Sequence, residues 1–299
     1  MDAAQRLPAH MVDQVRAFAE GRRTPAEPRN ASTVVLMRPG ASREPGSLEV
    51  YLLRRHVDMA FAAGMAVFPG GGVDPRDFDH EIDWVGPPPS QWARLLGVEE
   101  PLARALVCAA VRETFEESGV LFAGADWVDE GEGVSIVKDT TGAEWEEDRR
   151  RLEARELSFT DFLSHRGLSL RTDMLRVWGS WLTPVFEPRR YRTWFFTAQL
   201  PPTQRTRDVS TESSAATWLS VREAISAVDD GRMLMLPPQY CTCLELFDLS
   251  TPVEALDSAA ERDLTPVEPS ADLDADGAYL TLPDRLTALR EDVSSRIRS

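Results

Sequence analysis

Residues 101–119 constrain the fold more than any other stretch of this chain. Pro101 suits the first turn of a helix, Glu99 and Glu100 sit at its start, and Gly119 is placed to end it. At roughly 100° per residue, Leu102, Leu106 and Ala109 share one face, and the same spacing continues to Glu113, Glu116 and Glu117. Val107, Cys108, Val111 and Phe115 cover much of the opposite side. A helix that is apolar on two sides needs a layer against each, so this one is predicted to be sandwiched. Its three glutamates then extend an apolar stripe instead of a solvated face.

Left alone, that arrangement is unfavourable. Like charges at i,i+3 and i,i+4 repel, and the last turn of a helix is already the negative end of its dipole. Arg112 neutralises one carboxylate at most. A hard divalent cation such as Mg²⁺ or Mn²⁺ resolves the conflict, because it takes carboxylate oxygens and keeps waters for chemistry. A bare E-x-x-E-E reads more simply as a solvated acidic patch. Here Arg112-Glu113 precede it and Pro69-Gly70-Gly71-Gly72 lies upstream, which favours the metal.

The rest of the chain supplies the surroundings. Residues 1–30 read as an N-terminal helix and a Pro-containing linker. Ser32–Arg38 and Leu48–Arg55 read as strands of a hairpin, and Ala66–Phe68 as a short apolar run. Residues 74–100 are a polar insertion, 126–142 an acidic loop, and Glu144–His165 a charge-alternating, exposed helix with an apolar end. Strands are expected at Trp178–Thr183, Thr193–Leu200 and Ala215–Leu219, and helices at Val221–Val228 and Gln239–Leu249. From Thr251 an acidic tail follows, with one late helix around Pro283–Arg296. Strands and helices mix without a βαβα rhythm, so the class is α+β. The domain map is therefore 1–30, a main domain over 31–250 with insertions at 74–100 and 144–177, and a C-terminal extension over 251–299.

Composition narrows the partners. Lys plus Arg number 33 against 49 for Asp plus Glu, a formal net charge of −16. Such a field repels nucleic acid and anionic membranes, so an anionic substrate needs a local cation. No run approaches the ~18 to 20 apolar residues of a membrane span, and the N-terminus lacks the apolar core of a signal peptide. The C-terminal Ile297-Arg298-Ser299 matches no peroxisomal or retention tripeptide. Cys108, Cys241 and Cys243 are few and odd in number, as expected of reduced thiols in the cytoplasm. Cys241-x-Cys243 has no second ligand pair nearby for zinc.

Arg112-Glu113-Thr114-Phe115-Glu116-Glu117-Ser118-Gly119-Val120 resembles the second half of the Nudix box, R-E-U-x-E-E-x-G-U, with Thr114 at a position that is usually apolar. Gly71 and Asp77 give the spacing of its first half, G-x5-E, with Asp in place of Glu; Arg104 holds that glutamate's helical offset. The family has seven residues before the box Arg, whereas residues 78–111 stand here. A box split in this way is similar to that of the Nudix branch containing the peroxisomal acyl-CoA diphosphatases. Leu52-Leu53-Arg54-Arg55, Gly64 and Phe68-Pro69-Gly70-Gly71 resemble the motif of CoA-directed members, with His56 and Ala60 as departures. Trp181-Leu182-Thr183-Pro184, Pro188-Arg189-Arg190-Tyr191 and Pro237-Pro238-Gln239 are similar to segments of the same branch.

The resemblance implies an α/β/α sandwich around a mixed β-sheet, with helical insertions. It implies Glu113, Glu117 and the Gly70 carbonyl as ligands of Mg²⁺ or Mn²⁺, Glu116 as a ligand or base, and Arg112 as the residue that orients a glutamate. Glu212, in a loop before Trp218, is the candidate base outside the box. Arg54, Arg55, Phe68, Gly71 and Arg190 are the candidate substrate contacts, since guanidinium groups suit phosphates. The implied partner is a small nucleotide, with no nucleic acid or membrane and with a homodimer left open. The implied reaction is metal-dependent cleavage of a diphosphate in CoA or acyl-CoA. Cleavage of ADP-ribose, NADH or a dinucleotide is the alternative. A non-catalytic nucleotide-binding module is a third reading, which the retention of all three glutamates disfavours.

Overall fold

In the computed structural model, which describes residues 6–57, 62–125 and 135–298, helix α1 (Ala9–Ala19) precedes β1 (Arg29–Arg38), β2 (Glu49–Arg55), β3 (Ala66–Val67) and β4 (Gly70–Gly72). Then come β5 (Trp84–Val85), α2 (Pro89–Leu96), α3 (Glu100–Ser118) and β6 (Ala123–Ala125). Helices α4 (Ala143–Glu153) and α5 (Phe159–Arg166) lead through β7 (Leu168–Arg171) to β8 (Arg176–Leu182), β9 (Tyr191–Gln199) and β10 (Ser213–Ser220). The chain finishes with α6 (Val221–Asp229), α7 (Pro237–Leu246), α8 (Pro252–Ser258), β11 (Ser270–Asp274), β12 (Gly277–Thr281) and α9 (Asp284–Arg298).

The main sheet runs β10-β2-β1-β9-β8, with β3 added to β2 and β4 to β1. It is mixed, because β1 and β9 are parallel from Arg29↔Tyr191 to Met37↔Gln199 while the other pairs are antiparallel. β1 is central and buried on both sides from Ala31 to Met37, which suits its unbroken Val34-Val35-Leu36-Met37 run. Alternation then divides the core. Val34 and Leu36 pack with Leu106, Ala110 and Phe115 of α3 on one face. Val35 and Met37 pack with Val221, Ile225 and Leu244 of α6 and α7 on the other. The result is the helix–sheet–helix sandwich expected above, with α3 in the position its two apolar sides require. Gly119 closes α3 at φ 74°.

Three features depart from the sequence reading. Glu144–His165 is two helices, not one: Arg155 turns left-handed at φ 60°, and the Ser158 hydroxyl caps the second helix through the Asp161 N–H. Its first helix is not simply exposed, since Arg149 is turned inward among acidic partners. The insertions on either side of α3 are not independent decorations. β5, β7 and β6 form a second, three-stranded sheet in which Leu170 faces both Trp84 and Ala123. The acidic tail contains a β11–β12 hairpin that its sequence did not announce. The hairpin packs on α1, and Leu286 and Val293 of α9 are buried in the α6–α7 core. Each such burial stabilises by roughly 1.5–3 kcal/mol. No helix among the described residues is long and apolar enough to cross a membrane.

Candidate active site

The site forms where β4 is squeezed between β1 and the last turns of α3. Ser32 and Thr33 of β1 face Gly71 and Gly70 across the ladder. A Cβ at Gly70 would lie 2.4 Å from the Ser32 carbonyl oxygen, and one at Gly71 would lie 2.5 Å from the Glu113 carboxyl. Only glycine lets this strand touch β1 and α3 together. The Gly70 N–H donates to Glu117 Oε2 at 2.8 Å.

Arg112 is the hub of the charged cluster. Its Nε and Nη2 donate to the two oxygens of Asp77 at 2.9 and 3.0 Å. Its Nη1 donates to Glu113 at 2.8 Å and to Glu116 at 3.2 Å, and Nη2 also reaches the Gly72 carbonyl at 3.2 Å. Asp77 is only 1% exposed and accepts the Asp74 N–H at 2.8 Å within a one-turn 3₁₀ segment, Pro75–Phe78. The acid at the G-x5 spacing thus anchors the box arginine. Arg104 belongs elsewhere: it donates to the Ile82 carbonyl and lies over the Trp84 ring.

One guanidinium cannot balance four carboxylates. Burial pushes Glu116 up to about 8, and the neighbouring Glu113 charge adds to the effect. Burial likewise raises Glu113, against the pull of Arg112. It raises Glu117 well above the ordinary carboxylate range, with Glu113 again contributing while the Gly70 N–H and Arg55 ease it. Burial alone would lower the Arg112 pKa, yet Glu113 and the Asp77 hydrogen bonds outweigh it and raise it. Among the described residues no three His, Cys, Asp or Glu side chains converge as they stand on a point where an ion would sit. Glu113 and Glu116 turn to Arg112, and Glu117 to Gly70. Even so, the donors are closely set carboxyl oxygens whose charged form one guanidinium cannot support, and a hard divalent cation, which favours that form, fits them.

A cavity of about 930 Å³ opens over this cluster, with Gly70, Gly71, Arg112 and the three glutamates on its wall. Arg55 and Glu212 line it too, paired at 3.1 Å because β2 and β10 bring their chain ends together. The Arg55 Nε is buried with no hydrogen-bond partner. Phe68 lines the cavity from within the α6–α7 core. Not every candidate arrives. Arg54 projects from the exposed side of β2, as strand alternation with Arg55 requires. Arg190 is 7% exposed and fully engaged, donating to the Thr183 and Ala26 carbonyls and pairing with Glu268 at 2.6 Å. Its guanidinium ties the tail to the sheet instead of facing a phosphate. Trp178 and Trp194 are core residues. The departure at Ala60 lies outside the described residues.

One contributor escaped the sequence reading. Arg149 Nη1 donates to the Glu116 carbonyl at 2.7 Å, and its guanidinium pairs with Glu146 and Glu153. It braces the last turn of α3 from behind. The i−3 and i+4 acids around it were visible, but nothing local said the face would be buried.

Residues 94–246, half of the chain, match the family model described as the NUDT19 Nudix domain. The chain belongs to this Nudix family. The matched span holds α3 and Glu212 but begins after the Gly70–Gly72 strand. Two relatives named acyl-coenzyme A diphosphatase NUDT19 are similar over most of the chain. The one from Gallus gallus is 30% identical over 240 residues, covering 69% of this chain and 63% of its own. The one from Xenopus laevis is 24% identical over 234 residues, covering 68% and 60%. The chain therefore spans somewhat under two thirds of these relatives' length. A solved Nudix hydrolase from Alicyclobacillus acidocaldarius superposes with a TM-score of 0.60 at 26% identity, over 78% of this chain and 96% of its own.

Proposed function

We propose that this Nudix chain hydrolyses the diphosphate of CoA or acyl-CoA, giving 3′,5′-ADP and phosphopantetheine or its acyl form. The observation that carries this reading is the buried Arg112–glutamate cluster on the wall of a cavity of nucleotide size, in a chain whose relatives are named acyl-CoA diphosphatases. Glu113, Glu116, Glu117 and the Gly70 carbonyl would hold Mg²⁺ or Mn²⁺, which would supply the positive charge that diphosphate cleavage needs.

The protein's own residues do the remaining work. Asp77 fixes Arg112, and Arg112 fixes the Glu113 and Glu116 carboxylates, so the acidic face is ordered before substrate arrives. Arg55, with an unpartnered Nε on the cavity side of β2, binds a substrate phosphate. Glu212, whose side chain is 53% exposed, accepts the proton of the attacking water. Water oxygen bonds to one phosphorus, the bridging P–O bond breaks, and the second phosphate leaves with the electron pair. The three free, buried thiols support a reducing cytoplasm as the setting.

Mass spectrometry of products with Mg²⁺ or Mn²⁺ tests the proposal on CoA, acyl-CoAs, ADP-ribose, NADH and diadenosine polyphosphates. The expected result is 3′,5′-ADP with a phosphopantetheine. AMP from ADP-ribose or NADH alone would overturn the CoA assignment, and no product across the panel would overturn the hydrolase.

A further inference from the structure

The lining of the cavity includes apolar residues beyond those assigned to hydrolysis. Trp181 and Phe186, Leu236 and Leu244, and Leu282 and Leu286 are among them. The last two come from the segment that the sequence reading treated as an appended tail. The Ala66 N–H donates to the Leu234 carbonyl at 2.8 Å, which pins the approach to α7 four residues from Gly70.

Gln239, in the first turn of α7, also lines the cavity. It is 9% exposed, and its Oε1 is buried with no hydrogen-bond partner. A carboxamide is not placed in apolar surroundings without cost unless something pairs with it. Its oxygen and nitrogen exchange places by a half-turn of the terminal torsion, so the group can offer an acceptor or a donor to the cavity.

We propose that Gln239 receives a secondary amide of an extended arm attached to the diphosphate, and that the pocket between α7 and residues 280–286 holds the apolar group beyond it. The inference rests on the CoA reading above and adds a specificity residue to it. A secondary amide presents one N–H and one C=O, which a carboxamide meets with its own acceptor and donor. The pantetheine arm of CoA carries two such amides and ends in the thiol that bears an acyl chain. ADP-ribose offers neither amides in an extended arm nor an apolar end. Gln239 thus distinguishes arms, while the glutamates act on any diphosphate.

The test is Gln239→Met, which keeps length and removes the paired donor and acceptor. Steady-state kinetics on CoA and an acyl-CoA, product inhibition by phosphopantetheine, and a melting curve are read together. KM for CoA and Ki for phosphopantetheine are expected to rise about 3- to 10-fold, with kcat within about 2-fold of the parent. The melting midpoint is expected to hold or rise, because an orphaned amide has gone. Unchanged KM and Ki in a parent protein that does cleave CoA overturn the role of Gln239 alone. A parent that cleaves ADP-ribose but not CoA overturns the CoA reading and this inference with it. Should the methionine variant fail to fold, Gln239→Glu keeps the shape and loses the donor; phosphopantetheine binding by calorimetry then decides, with an unchanged Kd counting against the proposal.

Discussion

Replacing Asp77 with alanine sets two electrostatic effects against each other. The cluster holds four carboxylates, so deleting one relieves repulsion in a protein that already carries a net charge of −16. The same deletion strips Arg112 of both its bonds to Asp77, at 2.9 and 3.0 Å, and leaves a guanidinium that is only 10% exposed. At an effective dielectric near 20, a pair about 4 Å apart is worth about 4 kcal/mol, and the attraction falls off with distance. Asp77 meets the glutamates only across the guanidinium, so its attraction to Arg112 is the larger effect. Breaking one side of a buried pair costs about 3–5 kcal/mol. For a chain of this size that lowers the melting midpoint by about 5–8 °C, measurable by calorimetry in the presence of a chelator. Replacing both partners, Asp77→Leu with Arg112→Met, should not recover the loss, since Glu113 and Glu116 then stand without their guanidinium. A midpoint that stays or rises in Asp77→Ala would refute the reasoning and make repulsion dominant.

Three further outcomes follow from the same geometry. Glu117→Gln keeps an acceptor for the Gly70 N–H while removing a buried charge, so turnover should fall by ~10²-fold or more with the chelated protein at least as stable as the parent; retained turnover would exclude Glu117 from the machinery. Without metal, stability should fall as pH rises from about 4.5 to about 8. Folding raises Glu116 from 4.5 to about 8, so the folded state keeps a proton that the unfolded state releases, and that contribution is lost as pH climbs through 8. The slope is at most about 1.4 kcal/mol per pH unit from this group, and urea midpoints of the chelated protein that are flat or rising between pH 6 and pH 8 would contradict it. Arg190→Met should lower stability by about 2–4 kcal/mol through the lost Glu268, Thr183 and Ala26 bonds and leave KM unchanged; a raised KM at full stability would return Arg190 to the substrate.

What the sequence revealed and what it hid differ in kind. The α3 helix was legible because every signal there is local: a proline at one end, a glycine at the other, and apolar residues on two sides. The partnership of Asp77 with Arg112 was legible only as a spacing, because the bidentate contact is made across residues 78–111 and no periodicity records it. Arg54 and Arg55 looked equivalent as neighbours, yet strand alternation sends one to solvent and the other to the cavity, and which is which depends on the sheet's register. Arg190 stands off the cavity wall for a related reason. Its partner, Glu268, lies 78 residues away in a segment whose acidity made it look detached.

That last contact changes how the tail should be understood. Acidity and scattered prolines marked an acidic C-terminal extension, but those features describe the exposed faces of β11, β12 and α9. Leu286 and Val293 are buried against α6 and α7, Val267 bridges to β8 through Ser180 and Leu182, and Leu280, Leu282 and Leu286 reach the cavity. A segment that completes both the core and the binding cavity has its stability coupled to that of the sheet. Loosening it, by removing Arg190 or its partner Glu268, therefore costs stability that the tail and the sheet share.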